Sequence, residues 1–291
     1  MSRAPARGAL AGHLPRKRFG QNFLVDQQVI ASIVALIAPQ PDDLLLEIGP
    51  GLGAMTEQLL PQLKQLQVVE IDRDLAARLR QQHDASRLQV HEADALQFDF
   101  AALAQQAGRA LRVVGNLPYN ISTPLLFRIA ELVTPQRATD ATSLVSNTAS
   151  NLPPTLPLLQ DAHFMLQREV VDRMTAPPGG KDYGRLSVML QARFAMRRVL
   201  DVPPEAFHPV PAVNSAIVRM QPLPQALVSA ALQPRFEQVV AAAFSQRRKT
   251  LRNALRALIS PEQLQALDID PGVRAETLPV EVFRRIAEKI I

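Results

Sequence analysis

Short apolar runs alternate with helical patterns through the first half of the chain. The runs over residues 44–48, 66–70, 88–91 and 111–115 each predict a buried strand, and amphipathic segments lie between them. Strands that alternate with helices in this way favour parallel pairing through crossover helices. Residues 27–38 have helical periodicity and are expected to pack at the sheet edge. The first half of the chain therefore predicts an α/β sheet.

Three further strand-like runs, over residues 164–168, 199–202 and 216–220, are expected to join the same sheet. They follow a stretch that fits no regular element, because residues 134–160 are rich in Thr, Ser, Asn and Pro and lack a period. Structureless loops longer than about 12–15 residues are uncommon and tend to be functional or disordered. We interpret residues 134–160 as an inserted loop that is disordered or lies on the surface.

Beyond residue 224 the strand pattern stops and the chain becomes helical. Helices are predicted over residues 235–258, 261–266 and 280–290. Ser260 followed by Pro261 is typical of a helix start, since a hydroxyl can cap the helix and proline suits its first position. The predicted organisation is a basic tail, an α/β domain and a small helical domain, over residues 1–15, 16–222 and 223–291.

The composition of the chain narrows the classes of function. Among 291 residues there is no cysteine, which excludes disulfides, thiolate zinc sites and a cysteine nucleophile. No apolar run approaches the roughly 18 residues of a membrane span. We expect a soluble, cytoplasmic protein without a metal site, and nothing in the sequence requires more than a monomer.

Basic residues are unevenly distributed along this chain of net charge +5. Residues 1–25 contain five basic residues and no acid, and further clusters lie over residues 193–198 and 247–256. One such cluster would be typical of a solvated face, but three favour a polyanionic partner. The acid-free N-terminus could also be a mitochondrial presequence; we favour a flexible basic tail because a motif already begins at Arg16. The candidate residues for binding such a polyanion are Arg16, Lys17, Arg18, Arg248 and Arg252.

The first strand leads into a glycine-rich loop, E-I-G-P-G-L-G over residues 47–53. Gly49 and Gly51 allow a tight turn from strand to helix and a close approach of a ligand to the backbone. The second strand ends on Glu70, where an acid would bind ribose hydroxyls, and the third is followed by Asp94, placed to meet an adenine amine. The combination predicts a nucleoside-containing cofactor more strongly than any one of these features.

Two cofactor classes, a dinucleotide and S-adenosylmethionine, share this arrangement. The loop has the spacing G-x-G-x-G instead of the dinucleotide G-x-G-x-x-G, and no Tyr-x-x-x-Lys or histidine acid is evident for hydride transfer. S-adenosylmethionine therefore fits better, and its reaction would yield S-adenosylhomocysteine. It carries its own leaving group, so the protein has chiefly to position a nucleophile.

The fourth strand ends in N-L-P-Y, residues 116–119, with no acid, histidine or thiol. An aromatic amine such as adenine N6 is a poor nucleophile because its lone pair is delocalised into the ring. The Asn116 side-chain oxygen and a carbonyl near Leu117 or Pro118 can accept its two N–H groups and aim the lone pair at a methyl donor. Tyr119 can stack on the base, which is worth about 1–3 kcal/mol.

These motifs resemble those of the ribosomal RNA adenine dimethyltransferases. Besides the glycine loop and N-L-P-Y-N-I-S-T-P-L-L, the resemblance rests on R-K-R-F-G-Q-N-F-L, V-E-I-D, E-A-D-A-L, K-D-Y-G-R-L-S-V and F-H-P-V-P-A-V-N-S. It covers about residues 13–133 and 162 to the end. The bacterial small-subunit branch, which dimethylates two adjacent adenosines in the 3′-terminal hairpin loop of 16S rRNA, matches best. The departure from the family is the stretch over residues 134–160.

The resemblance implies a Rossmann-like methyltransferase domain followed by a helical domain that helps to grip RNA. It implies that 16S rRNA, in the small ribosomal subunit or its precursor, is the partner, with a role in ribosome biogenesis. It makes Phe207 a second aromatic wall of the base pocket, opposite Tyr119. The implied cofactor contacts are Asn22, Leu24, Gly49, Gly51, Glu70, Asp94 and Asn116.

Other functions remain open at this point. An enzyme that modifies a large-subunit adenine is the nearest rival, although the C-terminal helices and residues 16–24 favour the small-subunit type. A DNA adenine methyltransferase is chemically possible, but no additional target-recognition domain is visible. A non-catalytic ribosome-assembly factor would use the same basic surface, and both roles could coexist. The missing cysteine excludes the usual cytosine-C5 mechanism.

Overall fold

The computed structural model describes residues 21–133, 157–246 and 248–290, and contacts between residues divide the chain into two compact units. Within the described ranges, the first unit contains the chain up to Leu132, residues 157–171 and Arg197–Met220. The second contains Asp172–Met196 and the chain from Gln221 onward. The sequence-based domain over residues 16–222 is continuous, whereas the contacts place Asp172–Met196 with the C-terminal part. The predicted tail over residues 1–15 and most of the stretch over residues 134–160 lie outside the described residues.

Strands and helices alternate through the first half of the chain, as predicted, and the last part is helical. The elements in chain order are β1 (Phe23–Leu24), α1 (Gln27–Ile37), β2 (Leu44–Ile48), α2 (Thr56–Leu59), β3 (Leu66–Glu70), α3 (Arg73–Gln82), β4 (Leu88–Glu92), α4 (Phe100–Ala107), β5 (Leu111–Asn116), α5 (Ser122–Glu131), β6 (Leu159–Gln167), α6 (Arg168–Thr175), α7 (Arg185–Gln191), β7 (Phe194–Val202), β8 (Phe207–His208), β9 (Ser215–Pro222), α8 (Gln233–Ala243), α9 (Leu251–Ala254), α10 (Pro261–Gln265) and α11 (Val280–Lys289).

Seven strands form one sheet in the order β4-β3-β2-β5-β6-β9-β7. The first five of these pair in parallel, and β9 is antiparallel to β6. Strands β2, β3 and β5 are almost entirely buried, as expected for parallel strands covered on both faces. The short strands β1 and β8 pair separately and antiparallel. The expected α/β, Rossmann-like class with a helical C-terminal part is confirmed.

Helix α1 lies over a central strand of the sheet. Arg112 on β5 donates from Nη2 to the carbonyl oxygen of Ile37 at 2.6 Å, and from Nη1 to that of Ala38 at 3.3 Å. The same guanidinium bonds Asp43 and Asp161, so a buried cation is fully paired between the helix end and the sheet. The expectation that this helix packs at the sheet edge is therefore wrong, since β5 lies in the middle of the sheet.

The helix predicted over residues 235–258 is interrupted. Helix α8 ends at Ala243, and the next ring, Phe244, packs against Tyr183 and Phe283 with centroid separations of 6.4 and 5.6 Å. Thr250 is extended and bridges to Arg274 before α9 begins. The amphipathic pattern alone favoured one continuous helix. These contacts within the second unit instead prevent the backbone after Ala243 from continuing as a helix.

The other predicted elements are present, although β6 and β7 each begin five residues earlier than expected. Strands β6, β7 and β9 begin earlier than expected, so residues 159 and 160 of the predicted loop belong to β6. The capping prediction is confirmed, because Ser260 Oγ accepts the N–H of Gln263 at 3.2 Å and the Gln263 side chain accepts the N–H of Ser260. Within the described ranges, none of the helices has the length and apolar character needed to cross a bilayer.

Candidate active site

A cleft opens at the carboxyl ends of β2, β3, β4 and β5, where ligands bind in open α/β sheets. All of its lining residues belong to the first unit. The structure brings together nearly all of the residues that the sequence proposed for the cofactor and for the N-L-P-Y turn. These are Asn22, Leu24, Gly49, Gly51, Glu70, Asp94, Asn116, Leu117, Pro118 and Tyr119.

The glycine loop forms the floor of the cleft and depends on the absence of side chains. Gly49 and Gly51 have φ values of +66° and +59°, in the left-handed region that favours glycine. The Gly49 N–H donates to the carbonyl oxygen of Val69 at 2.9 Å, which ties the loop to the end of β3. A Cβ on Gly51 would lie 3.1 Å from the Phe23 ring. The loop thus leaves a space for a ligand, and a larger side chain would fill that space.

Glu70 connects the end of β3 to the glycine loop. Its side chain accepts the N–H of Asp72 at 2.8 Å on Oε1 and the N–H of Gly51 at 3.1 Å on Oε2. Burial raises the pKa of Glu70, and these backbone N–H groups oppose the rise by stabilising the carboxylate. Glu70 therefore orders the loop and also presents an acceptor at the position expected for ribose hydroxyls.

Asp94 and the segment from Asn22 to Leu24 line other walls of the same cleft. Asp94 accepts the N–H of Leu96 at 2.9 Å, which fixes the turn after β4. Strand β1 is held against β8 by pairing of Phe23 with His208 and of Leu24 with Phe207. The cleft is thus lined by segments that are distant in sequence.

Asn116 is the last residue of β5. Its Nδ2 donates to the carbonyl oxygen of Asn22 at 3.0 Å, an orientation that presents Oδ1 as the acceptor. The N–H of Leu117 donates to the carbonyl oxygen of Met165 at 3.1 Å, which anchors the turn to β6. The carbonyl oxygen of Pro118 accepts the N–H of Ile121 at 3.1 Å. The carbonyl of Leu117 is consequently the better second acceptor of the two that the sequence suggested.

The two aromatic residues proposed to stack on a base are placed differently. Tyr119 is half-buried and lines the cleft, with its hydroxyl 3.0 Å from Ser215 Oγ. Phe207 is only 2% exposed, belongs to the hydrophobic core and does not line the cleft. It belongs to the same core cluster as Ile30 of α1 and Ile217 of β9. The structure does not bring Phe207 to the cleft, and its stacking role stays a prediction.

Sequence reasoning missed Glu47, which also lines the cleft. Glu47 is 1% exposed and accepts the Thr56 hydroxyl at 2.6 Å. Burial raises its pKa to about 7, with Thr56 opposing and the nearby Glu70 adding to the rise. The signal that could have found it is an acid on a buried strand two positions before the first loop glycine. Phe23, Met55 and Ile71 are among the other lining residues that sequence reasoning did not name.

The charge of the cleft suits a cation. The acids Glu47, Glu70 and Asp94 line it, and among the lining residues that the structure describes, from Gln21 onward, there is no Lys or Arg. A sulfonium and an ammonium group are cations, and a carboxylate close by lowers the cost of taking them out of water. Together with the glycine loop and the acids at the ends of β3 and β4, the residues present fit S-adenosylmethionine.

The proposed RNA-binding residues do not share one helical face. Arg16, Lys17 and Arg18 lie outside the described residues. Arg248 precedes α9 and Arg252 lies on it, in the second unit, and both are exposed. Arg248 and Arg252 therefore do not lie on the single helix predicted over residues 235–258, because the chain leaves that helix after Ala243. Their exposure is compatible with phosphate contacts.

Known proteins are similar to this chain over nearly its full length. The chain is 52% identical over 281 residues to the ribosomal RNA small subunit methyltransferase A of Chromobacterium violaceum, covering 97% of each chain. It is 53% identical over 271 residues to the protein of the same name from Nitrosospira multiformis, covering 93% of this chain and 94% of that one.

Two solved structures share the fold. A dimethyladenosine transferase from Plasmodium falciparum has a TM-score of 0.72 at 23% identity, covering 91% of this chain and 95% of that chain. The 23S rRNA methyltransferase ErmE has a TM-score of 0.67 at 26% identity, covering 92% and 99%. The family model described as ribosomal RNA adenine dimethylase matches residues 12–291. This chain therefore belongs to the ribosomal RNA adenine dimethylase family of methyltransferases.

Proposed function

We propose that this protein transfers methyl groups from S-adenosylmethionine to N6 of two adjacent adenosines in the 3′-terminal hairpin loop of 16S rRNA. The product is N6,N6-dimethyladenosine, formed on the small ribosomal subunit or its precursor in the cytoplasm. Family membership and relatives named for the small subunit at about half identity support this reaction. The observation that carries it is the hydrogen-bonded orientation of Asn116 at the end of β5.

Asn116 and Leu117 orient the attacking amine. With Nδ2 donating to the Asn22 carbonyl, Asn116 Oδ1 is directed to accept one N6–H, and the Leu117 carbonyl accepts the other. Acceptors that draw the two N–H groups out of the ring plane favour a pyramidal nitrogen, whose lone pair is no longer delocalised into the ring. Once the new C–N bond has formed the nitrogen is cationic and releases its proton to water, so the site needs no strong base, in agreement with the residues of the turn.

The remaining residues hold the reactants in line. S-adenosylmethionine supplies the electrophilic methyl group on a sulfonium whose leaving group is neutral S-adenosylhomocysteine. Glu70 and Asp94 are assigned to the ribose hydroxyls and the adenine amine, and Glu47 balances positive charge beside the turn. Tyr119 stacks on an adenine taken out of its own stack, as chemistry on a base requires. Holding two reactants in a near-attack geometry is the main catalytic effect available here.

The exposed arginines supply affinity for the phosphate backbone. Arg248 and Arg252 would each neutralise a phosphate, and binding should weaken steeply as salt rises. A target adenine must come from a loop or single strand, because N6 is inaccessible in a paired helix. Such contacts position the RNA without reading its sequence.

The test is transfer of labelled methyl groups to under-methylated small ribosomal subunits, followed by mass spectrometry of the nucleosides. Asn116→Ala should lower the turnover number by at least about 100-fold, a size typical of losing one preorganised hydrogen-bonding group. RNA affinity should be retained. The matched control is Asn120→Ala, because Asn120 is exposed on the same turn and does not line the cleft.

The other outcomes distinguish the alternatives. Retained activity in Asn116→Ala would refute the assigned chemistry. Absence of N6,N6-dimethyladenosine with wild-type protein, despite binding to subunits, would favour a non-catalytic assembly role. Methylation of large-subunit RNA in place of small-subunit RNA would move the substrate to the other branch of the family.

A further inference from the structure

The hydroxyl of Tyr119 is held by a residue far along the chain. Its oxygen lies 3.0 Å from Ser215 Oγ, and the two residues are 96 positions apart. Ser215 is 1% exposed, so its hydroxyl is shielded from water, and it does not line the cleft. A buried hydroxyl requires a partner, and here that partner is the tip of the ring proposed to stack on the adenine.

Both ends of this hydrogen bond are fixed through strand β6. On one side of β6, Asn116 pairs with Met165, and the Leu117 N–H bonds the Met165 carbonyl. On the other side, Gln167 pairs with Ser215, and the N–H of Arg168 bonds the carbonyl of Asn214. The N-L-P-Y turn and the start of β9 are therefore aligned by the same strand.

We propose that Ser215 is a positioning residue that sets the orientation of the Tyr119 ring for base stacking. The inference rests on the proposed function for the role of Tyr119, and on the described contacts for the role of Ser215. A stacking ring attached only through Cβ can swing about the first side-chain torsion and tilt about the second. The hydroxyl oxygen lies on the axis of the second torsion, so its hydrogen bond to Ser215 chiefly fixes the direction in which the ring points about the first torsion. The ring is then preorganised before the adenine arrives.

The kinetic effect should fall on one parameter. Insertion and alignment of the base follow docking of the RNA, whose affinity comes chiefly from phosphate contacts. Loss of ring orientation therefore lowers kcat and leaves the KM for RNA nearly unchanged. The net worth of one hydrogen bond corresponds to a drop of about 2- to 12-fold. Cofactor affinity should not change, because Ser215 lies outside the cleft lining.

The first measurement does not depend on activity. The chain has two tyrosines and no tryptophan, so ring-labelled tyrosine gives NMR signals from Tyr119 and Tyr183 alone. Ser215→Ala should move the Tyr119 ring signals and leave those of Tyr183, whose hydroxyl bonds the Leu278 carbonyl, unchanged. Ser187→Ala is the control, because Ser187 is a buried serine outside the cleft that should leave the Tyr119 signals in place.

The second measurement is a double-mutant cycle on methyl transfer, with Tyr119→Phe as the other variant. Ser215→Ala should lower kcat in the wild-type background and have no further effect in Tyr119→Phe, which already lacks the hydroxyl. Ser215→Thr, which keeps a hydroxyl, should restore at least part of the loss. The affinity for S-adenosylhomocysteine should be the same in the wild type, Ser215→Ala and Ser215→Thr.

The results that would overturn the proposal are distinct from those that would overturn the function. Unmoved Tyr119 signals in Ser215→Ala, or an undiminished effect of that change in Tyr119→Phe, would assign Ser215 a merely structural role. A wild-type protein that methylates no adenine would refute the proposed function, and the NMR comparison would still test whether Ser215 orients the ring.

Discussion

The glycine loop allows a prediction in which two strained glycines are compared. Gly51→Ala and Gly108→Ala both place a side chain on a backbone with φ near +60°, at +59° and +62°. The left-handed conformation costs a residue with Cβ about 1–2 kcal/mol. We expect Gly108→Ala to lose about that much stability and Gly51→Ala to lose at least as much. The melting temperature of Gly108→Ala should fall by about 2–8 °C, and that of Gly51→Ala by no less.

Only the first change alters the cleft. The Cβ at residue 51 would lie 3.1 Å from two atoms of the Phe23 ring, whereas nothing lies within 4 Å of a Cβ at residue 108. Ordinary carbon contacts are about 3.5–4.0 Å, so the ring or the loop must move by roughly 0.5 Å. Overpacking of this kind costs about 1–3 kcal/mol. Since Gly51 and Phe23 both line the cleft, cofactor affinity should fall by about 5- to 150-fold.

Calorimetric titration with S-adenosylhomocysteine measures this difference, and thermal denaturation of the same samples measures the shared backbone cost. Gly108→Ala should bind like the wild type, because Gly108 ends α4 away from the cleft lining. Two results would refute the reasoning: wild-type affinity in Gly51→Ala, or an equal loss of affinity in both variants. The first would mean that the ring moves at no cost, and the second that backbone strain alone reaches the cleft.

Three further predictions concern charge. Burial raises the pKa of Glu47 from the ordinary value of 4.5 to about 7, so the stability of the wild type should fall as pH rises between these values. Glu47→Gln should remove up to about 3 kcal/mol of that fall, as measured by denaturation at a series of pH values. Stability curves that run parallel for the two proteins would contradict this. Arg112→Leu should cost about 3–5 kcal/mol in the free energy of unfolding, because it leaves Asp161, 3% exposed, without its bidentate partner; a loss below 1 kcal/mol would refute it. Arg252→Ala should reduce the slope of log affinity for RNA against log salt by about 1, whereas Arg109→Ala, an exposed arginine just before β5 that does not line the cleft, should not; equal slopes for all three proteins would rule out the phosphate contact.

The chemistry of the site was largely readable from the sequence because the fold is parallel. Residues that follow successive parallel strands meet at one edge of the sheet, so Gly49, Glu70, Asp94 and Asn116 could be placed together without coordinates. Local sequence signals were equally reliable where a single residue decides the local structure. Ser260, for example, caps its helix as predicted.

What the sequence could not determine depends on contacts between distant residues. Whether Phe207 faces the cleft or the core depends on the pairing of β8 with β1, which no local pattern reveals. The break after Ala243 depends on where the Phe244 ring packs within the second unit. The sequence by itself determined the fold class, the strand-end acids and the amine-orienting turn. Only the tertiary structure decided that Glu47 is buried beside them and that Ser215 meets Tyr119, because both depend on long-range packing.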